Sequence, residues 1–266
     1  MKKIVLLFLI LQLSAVVAQV PTFSASYLST QTIDKALFVG VDSFDYLYKI
    51  KDNTLFKSDK NQTFTYKNIY LGKIATVDLI NPLRIAVFYE GFNSVALIDN
   101  QLNETTVINF SEKSNAIMAT AVGMASQNQL WVYNSLTQQI GLYNYLNNEY
   151  KNISIPLKSN FIYYQTDFNN FYWIDTDKNW YSCDPFGKII LLAKAPLFDR
   201  IQLLNDSQFI YMKDNLLFFT EIIDQKNSVK MPILLSEKTF ENFYYKDQIL
   251  SIFTSAEKTN YKLILP

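Results

Sequence analysis

Along most of the chain, short runs of aromatic and β-branched residues alternate with turns rich in Asp, Asn, Lys and Gly. Leu37 to Val41, Tyr46 to Ile50, Thr54 to Lys57 and Phe64 to Leu71 read as four successive strands, bounded by residues that accept turn geometry. The unit returns as Ala75 to Ile80, Arg84 to Tyr89, Val95 to Ile98 and Thr105 to Phe110. A third copy runs Ile117 to Gly123, Gln129 to Tyr133, Ile140 to Tyr145 and Tyr150 to Leu157. The fourth comprises Phe161 to Tyr164, Phe171 to Asp175, Trp180 to Cys183 and Lys188 to Lys194. The fifth comprises Arg200 to Leu204, Gln208 to Met212, Leu216 to Ile222 and Val229 to Leu235. The last is short, with Asn242 to Tyr245, Ile249 to Thr254 and Tyr261 to Leu265. Three of the turns share a Lys-Asp-Asn or Lys-Asp-Gln centre, at Lys51-Asp52-Asn53, Lys213-Asp214-Asn215 and Lys246-Asp247-Gln248.

A module of about 40 residues holding four short strands is the pattern of a β-propeller blade. The fold class expected is all-β, a single β-propeller of about six four-stranded blades. Unit spacing leaves five or seven blades open, and an all-β sandwich is the competing arrangement. The last unit lacks a strand while Thr22 to Leu28 has one to spare. A propeller's seam exposes unpaired backbone groups, so Phe23 to Tyr27 is expected to close the last blade. No long helical stripe and no Pro-, Gly- or Ser-rich linker divides the chain, which leaves one domain over 19–266.

The first residues carry an address. Met1-Lys2-Lys3 is basic, Ile4 to Leu13 is apolar, and Val16-Val17-Ala18 precedes Gln19. This is the pattern of a cleaved secretory signal peptide over 1–18. No Cys sits just after the cleavage point and no later apolar run reaches about 18 residues, so an exported protein is expected that is neither lipidated nor membrane-spanning. Cys183 is the single cysteine, so no intrachain disulfide can form, and export without disulfides fits a bacterial envelope.

Composition removes several chemistries. Lys plus Arg and Asp plus Glu number 24 each, so no global field gathers phosphates and nucleic acid is not an expected partner. The 18 Tyr, 20 Phe and 3 Trp favour strands, where rings pack on a pleated surface. Histidine is absent, which excludes Ser-His-Asp and Cys-His catalysis and imidazole-built metal sites. No catalytic motif, cofactor site or metal site is recognisable, and the enzyme reading is disfavoured.

Carboxylates are the chemistry that remains. A glycosidase needs two of them roughly 5 to 10 Å apart, and Asp42, Asp45, Asp78, Glu90, Asp167 and Asp175 are the candidates for a channel-mouth pair. Most sit at turn positions, where Asp is a good turn former. Asp175-Thr176-Asp177-Lys178-Asn179 has alternating oxygen groups, but Trp180 and Phe186 stand where a calcium loop needs Gly and Glu, so a hairpin is expected. The same stretch resembles a sialidase Asp-box through Asp175 and Trp180, yet the motif's Ser and Gly are absent at Trp173 and Asp177. Cys183, inside a strand, is expected to be a buried core residue. Rings concentrate in the fourth unit, and consecutive strand residues point to opposite faces. Surplus rings at Tyr164, Tyr172 and Trp180 are therefore the candidates for contact with a protein partner or a sugar.

Leu130-Trp131-Val132-Tyr133 with Ile140-Gly141-Leu142-Tyr143, and Phe171 to Asp175 with Trp180 to Asp184, resemble the quinoprotein-like and NHL-type propellers. The resemblance covers nearly the whole mature chain. The leader ending in Ala18-Gln19 and the Asn- and Lys-rich composition look like exported proteins of the Bacteroidota. There, small propellers are similar to subunits of envelope machines such as the barrel-assembly machinery and the type IX secretion translocon, including its plug subunit. The barrel-assembly precedent is a lipoprotein, which this chain is not expected to be. The resemblance implies a non-enzymatic periplasmic scaffold whose partner is an outer-membrane or secretion component. The alternative is a carbohydrate-binding or glycan-processing propeller using the channel-mouth carboxylates.

Overall fold

In the computed structural model, which describes residues 22–33, 36–112, 116–236 and 239–266, consecutive strands pair antiparallel into six sheets. The expected signal peptide lies outside the described residues. Two strands precede the ring, β1 (Phe23–Ser24) and β2 (Ser26–Thr32). The first blade is β3 (Leu37–Val41), β4 (Leu47–Lys51), β5 (Thr54–Ser58) and β6 (Thr63–Tyr66). The second is β7 (Thr76–Asp78), β8 (Arg84–Tyr89), β9 (Ser94–Asp99) and β10 (Glu104–Asn109). The third is β11 (Ala119–Ala125), β12 (Gln129–Asn134), β13 (Gln139–Asn144) and β14 (Glu149–Asn152). The fourth is β15 (Phe161–Thr166), β16 (Phe171–Asp175), β17 (Asn179–Cys183) and β18 (Ile189–Lys194). The fifth is β19 (Arg200–Leu203), β20 (Gln208–Lys213), β21 (Leu216–Ile222) and β22 (Ser228–Leu234). The sixth is β23 (Asn242–Lys246), β24 (Ile249–Phe253) and β25 (Glu257–Lys262), with β2 as its fourth strand. This is a six-bladed β-propeller, and the blade count expected from the repeat holds.

The N-terminal strand closes the last blade, with one refinement. Ser26 to Thr32 pairs antiparallel with β25, whereas Phe23 and Ser24 pair parallel with Ile233 and Leu234 of the fifth blade. The Phe23 ring meets Phe219 edge-on at 5.6 Å, and apolar filling between the last two blades draws it away from the strand expected to contain it. The final strand also begins earlier than Tyr261. Glu257-Lys258-Thr259-Asn260 resembles a turn, but Thr259 and Tyr261 point inward and are buried, as strand alternation requires.

Every blade is sandwiched between two others, so its strands bury both faces and read as continuous apolar runs. On β8, Ala86 and Phe88 pack toward the third blade, while Ile85, Val87 and Tyr89 pack toward the first. On β16, Phe171 and Trp173 join Trp131 and Tyr133 of the third blade; Tyr172 and Ile174 join Phe209 and Tyr211 of the fifth. Between the sixth blade and the first, Phe38 stacks on Phe253 at 4.1 Å.

Turn chemistry repeats with the blades. The turn between the third and fourth strands opens on Asp59, Asp99, Asn144, Asp184 and Asp224, each accepting two backbone N–H groups through Oδ1. Their spacing of roughly 40 residues is the period of the module. The Lys-Asp-Asn segments report something else. Two are the β4–β5 and β20–β21 hairpins, but Asp247-Gln248 joins β23 to β24, at the opposite end of a blade. All three place both turn residues at positive φ, the geometry of a two-residue hairpin turn.

Candidate functional site

The innermost strands β3, β7, β11, β15, β19 and β23 surround a cavity of about 750 Å³, open at the end where these strands finish. β11 contributes Val122 to the lining. β11 reads Ala-Thr-Ala-Val-Gly-Met-Ala, and a Cβ on Gly123 would fall 1.9 Å from Thr166 Oγ1 and 2.9 Å from Asp78 Oδ2. The inner strands of the second and fourth blades therefore meet across the third. Asp78 Oδ2 accepts Met124 N–H at 2.7 Å and the Thr166 hydroxyl at 3.2 Å, and Oδ1 accepts Ile80 N–H at 2.8 Å. Burial pushes this carboxyl above the usual carboxylate range, against the pull of its three hydrogen bonds.

Elsewhere around the channel, side-chain amides imitate a strand edge. Gln165 donates to Leu203 O and accepts from Leu203 N–H; Gln202 does the same for Tyr245 at 2.7 and 2.8 Å. Tyr244 donates to Val41 O at 3.3 Å, and the Lys246 ammonium to the Asp42 carbonyl. The buried Lys57 ammonium donates to Asn100 O at 2.8 Å, lies 3.6 Å from the Asp42 carboxylate and sits over the Tyr46 ring. These contacts fasten blade to blade.

The six candidate carboxylates do not converge. Asp42 and Asp78 line the cavity, joined by Asp247, which the sequence reasoning missed. Glu90 lies in the β8–β9 connection and Asp175 is the last residue of β16, both at the other end of the ring. Asp45 is an exposed turn residue at positive φ. Asp42 accepts Phe44 N–H, Tyr46 N–H and the Tyr48 hydroxyl. Asp167 accepts Asn169 N–H, Asn170 N–H and the Tyr172 hydroxyl. Asp175 accepts Asn179 N–H and Nδ2–H and the Ser159 hydroxyl, so the stretch with calcium-loop spacing is a hairpin closed on itself. Cys183 is fully buried, and burial pushes its thiol up to about 12.

The three candidate rings are also apart. Tyr164 lines the channel, stacked on Phe171 at 5.8 Å, its hydroxyl 3.4 Å from Thr76 Oγ1. Tyr172 is 5% exposed and Trp180 is 0% exposed. Both lie in the core between the fourth and fifth blades, because both faces of the sheet are covered and no strand ring is surplus.

Apart from Tyr27 on the seam strand β2, the rings that are more than half exposed among the described residues sit in turns and connections. Connections alternate between the two ends of an antiparallel blade. At the end holding the blade-to-blade connections, Ile69, Tyr70 and Phe92 are each more than half exposed. A Cβ on Gly72 would lie 2.8 Å from the Phe92 ring, so the connection and the β8–β9 turn are in contact. Asn68 Oδ1 accepts Tyr70 and Leu71 N–H, and Asn53 bonds Gly72 O and Ile74 N–H, which holds this segment in place. In the sequence, Ile69-Tyr70-Leu71 extends the apolar run expected as a strand from Phe64 to Leu71, whereas β6 ends at Tyr66 and these residues lie in the connection.

No protein-family profile matches the chain and no curated protein sequence matches it. Its fold is similar to virginiamycin B lyase from Staphylococcus aureus, with TM-score 0.57 and 10% identity over 92% of this chain and 96% of that one. A histidine-to-alanine form of that lyase is catalytically inactive. The WD40 repeats of RRP9 give TM-score 0.59 at 10% identity, covering 91% and 85% of the two chains. The extracellular domain of a protein described as a one-component system from Bacteroides thetaiotaomicron gives 0.50 at 12%, covering 91% of this chain and 40% of that one. Likenesses this distant establish the propeller fold, whose members carry unrelated functions.

Proposed function

We propose that the chain is an exported β-propeller of the bacterial envelope and a non-enzymatic scaffold that docks a protein partner on the Ile69–Tyr70–Phe92 patch. That patch carries the reading. Three large apolar side chains stand in solvent on segments already ordered by hydrogen bonds, so little conformational freedom is lost when a partner covers them. The carboxylates support it from the other side: Asp42, Asp78, Asp167 and Asp175 each accept several hydrogen bonds within their own turns or across blades. Such groups are poorly suited to serve as the acid and base of glycan hydrolysis. Lyase chemistry like that of the staphylococcal neighbour is disfavoured, since that enzyme fails without a histidine and this chain has none. Export rests on the basic and apolar leader over 1–18, and the Bacteroides extracellular domain is compatible with it. No helix among the described residues is long and apolar enough to cross a membrane. The expected partner is an outer-membrane or secretion component.

The test is affinity purification of tagged 19–266 from its native envelope, beside an Ile69→Asp/Tyr70→Ser variant that melts at the same temperature. The reading predicts one such component at near-equal amounts with the wild type and a loss of at least about tenfold with the variant, as for a hot-spot pair. A partner retained equally by both removes the patch. A partnerless chain removes the scaffold.

A further inference from the structure

A second surface, at the opposite end of the ring from the apolar patch, combines one displayed ring with a set of unengaged amides. A cleft of about 640 Å³ runs between the third and fourth blades, lined by the β11–β12, β15–β16 and β17–β18 turns and by β14. We propose that this cleft binds a saccharide chain, with Phe186 as the stacking surface and Gln127, Gln129, Asn169 and Asn170 bonding its hydroxyls.

Phe186 is 92% exposed, yet its turn is tightly ordered. Asp184 Oδ1 accepts Phe186 N–H at 2.9 Å and Lys188 N–H at 3.0 Å, and Gly187 N–H donates to Asp184 O at 2.9 Å. Gly187 has φ of 84°, and a Cβ there would fall 2.0 Å from Ile153 O. The turn thus lies flush against the third blade and no side chain but glycine's fits. The ordered backbone places the ring in water at the edge of the cleft. An exposed aromatic face at such an edge is a platform for the C–H face of a pyranose ring.

The amides supply the complementary part. Asn and Gln side chains elsewhere in the ring commonly close turns or clasp neighbouring strands, as Asn53, Gln165 and Gln202 do. Those of Gln127, Gln129, Asn169 and Asn170 border the cleft and make no hydrogen bond to another side chain or backbone group among the described residues. Each offers a donor and an acceptor without charge, matching a hydroxyl, which is both. A purely hydrocarbon ligand would leave these groups unpaired, at about 1–3 kcal/mol each if they were buried. The cleft's one cation, Lys151, is too little for a nucleic acid backbone. The lining therefore favours a saccharide over an apolar ligand or a polynucleotide, and the inference is independent of the protein-docking patch.

Isothermal titration of 19–266 with maltohexaose, cellohexaose and chitohexaose tests it. Binding of at least one hexasaccharide is expected, weakened at least about tenfold by Phe186→Ala and several-fold by Asn170→Ala, on the scale of a lost stacking contact. Tyr70→Ser and Tyr163→Phe, the latter at a residue lining the central channel, should bind as the wild type does. The proposal is overturned if none of the three saccharides binds, if Phe186→Ala binds unchanged, or if Tyr163→Phe abolishes binding and so moves the site into the channel. A circular dichroism melt on each variant separates lost binding from lost fold.

Discussion

The fourth blade holds two kinds of aromatic residue that look alike in sequence and differ completely in place. Tyr172, Trp173 and Trp180 lie in strands and are at most 5% exposed; Phe186, a few residues on, lies in a turn and is 92% exposed. Both faces of a propeller blade press on neighbouring blades, so ring density in its strands reports packing. In the fourth blade, rings face water in the connections, whereas an exposed strand ring such as Tyr27 lies on β2 at the seam. Tyr70 and Phe92 at the other end of the ring obey the same division.

The sharpest test of that division is Trp180→Ala. Its indole is fully enclosed and meets Phe209 edge-on at 5.5 Å, so truncation should lower unfolding free energy by about 3–5 kcal/mol in urea titration. Trp180→Phe should recover most of this, because the buried Nε1–H has no partner and removing an unpaired donor offsets about 1–3 kcal/mol. A loss under about 1 kcal/mol for the Ala variant would return Trp180 to the surface candidates. Next in size is Gly123→Ala, whose methyl group would meet Thr166 Oγ1. Overpacking of about 1–3 kcal/mol is expected, and the Gly123→Ala/Thr166→Ala double variant should regain part of it. Additive losses would show that Gly123 of the third blade does not lie against Thr166 of the fourth. The smallest effects belong to the tips: Tyr70→Ser and Phe186→Ala should each leave stability within about 0.5 kcal/mol. A larger drop at either would make that ring a structural one.

Much of the architecture was legible because apolar runs and Asp- or Asn-led turns are local signals. Gln129 to Tyr133 and Phe171 to Asp175 are strands within a residue of expectation. Glu257 to Asn260 was missed because half of its residues face outward and read as a turn. The Lys-Asp-Asn segments marked hairpin geometry, which recurs at either end of a blade; the true register lay in Asp59, Asp99, Asn144, Asp184 and Asp224. Tyr172 and Trp180 were offered as contact residues on the premise that one face of a sheet must be free. That premise holds for a sandwich and fails in a ring. Nothing local in Asp78 announces that it meets Thr166, since that contact exists only after three blades have assembled.

Thr30 and Thr259 share a hydrogen bond although 229 residues separate them, and the consequence is one of order in time. A chain released from the ribosome in sequence presents β2 first and β25 last, so the seam waits for the rest of the ring. Closing a loop of that length costs on the order of 5 kcal/mol in chain entropy, offset only once the other blades have brought the ends together. Closure of the seam should therefore be a late, slow step of folding, and until it occurs the outer edge of β25 remains open to pairing with another chain.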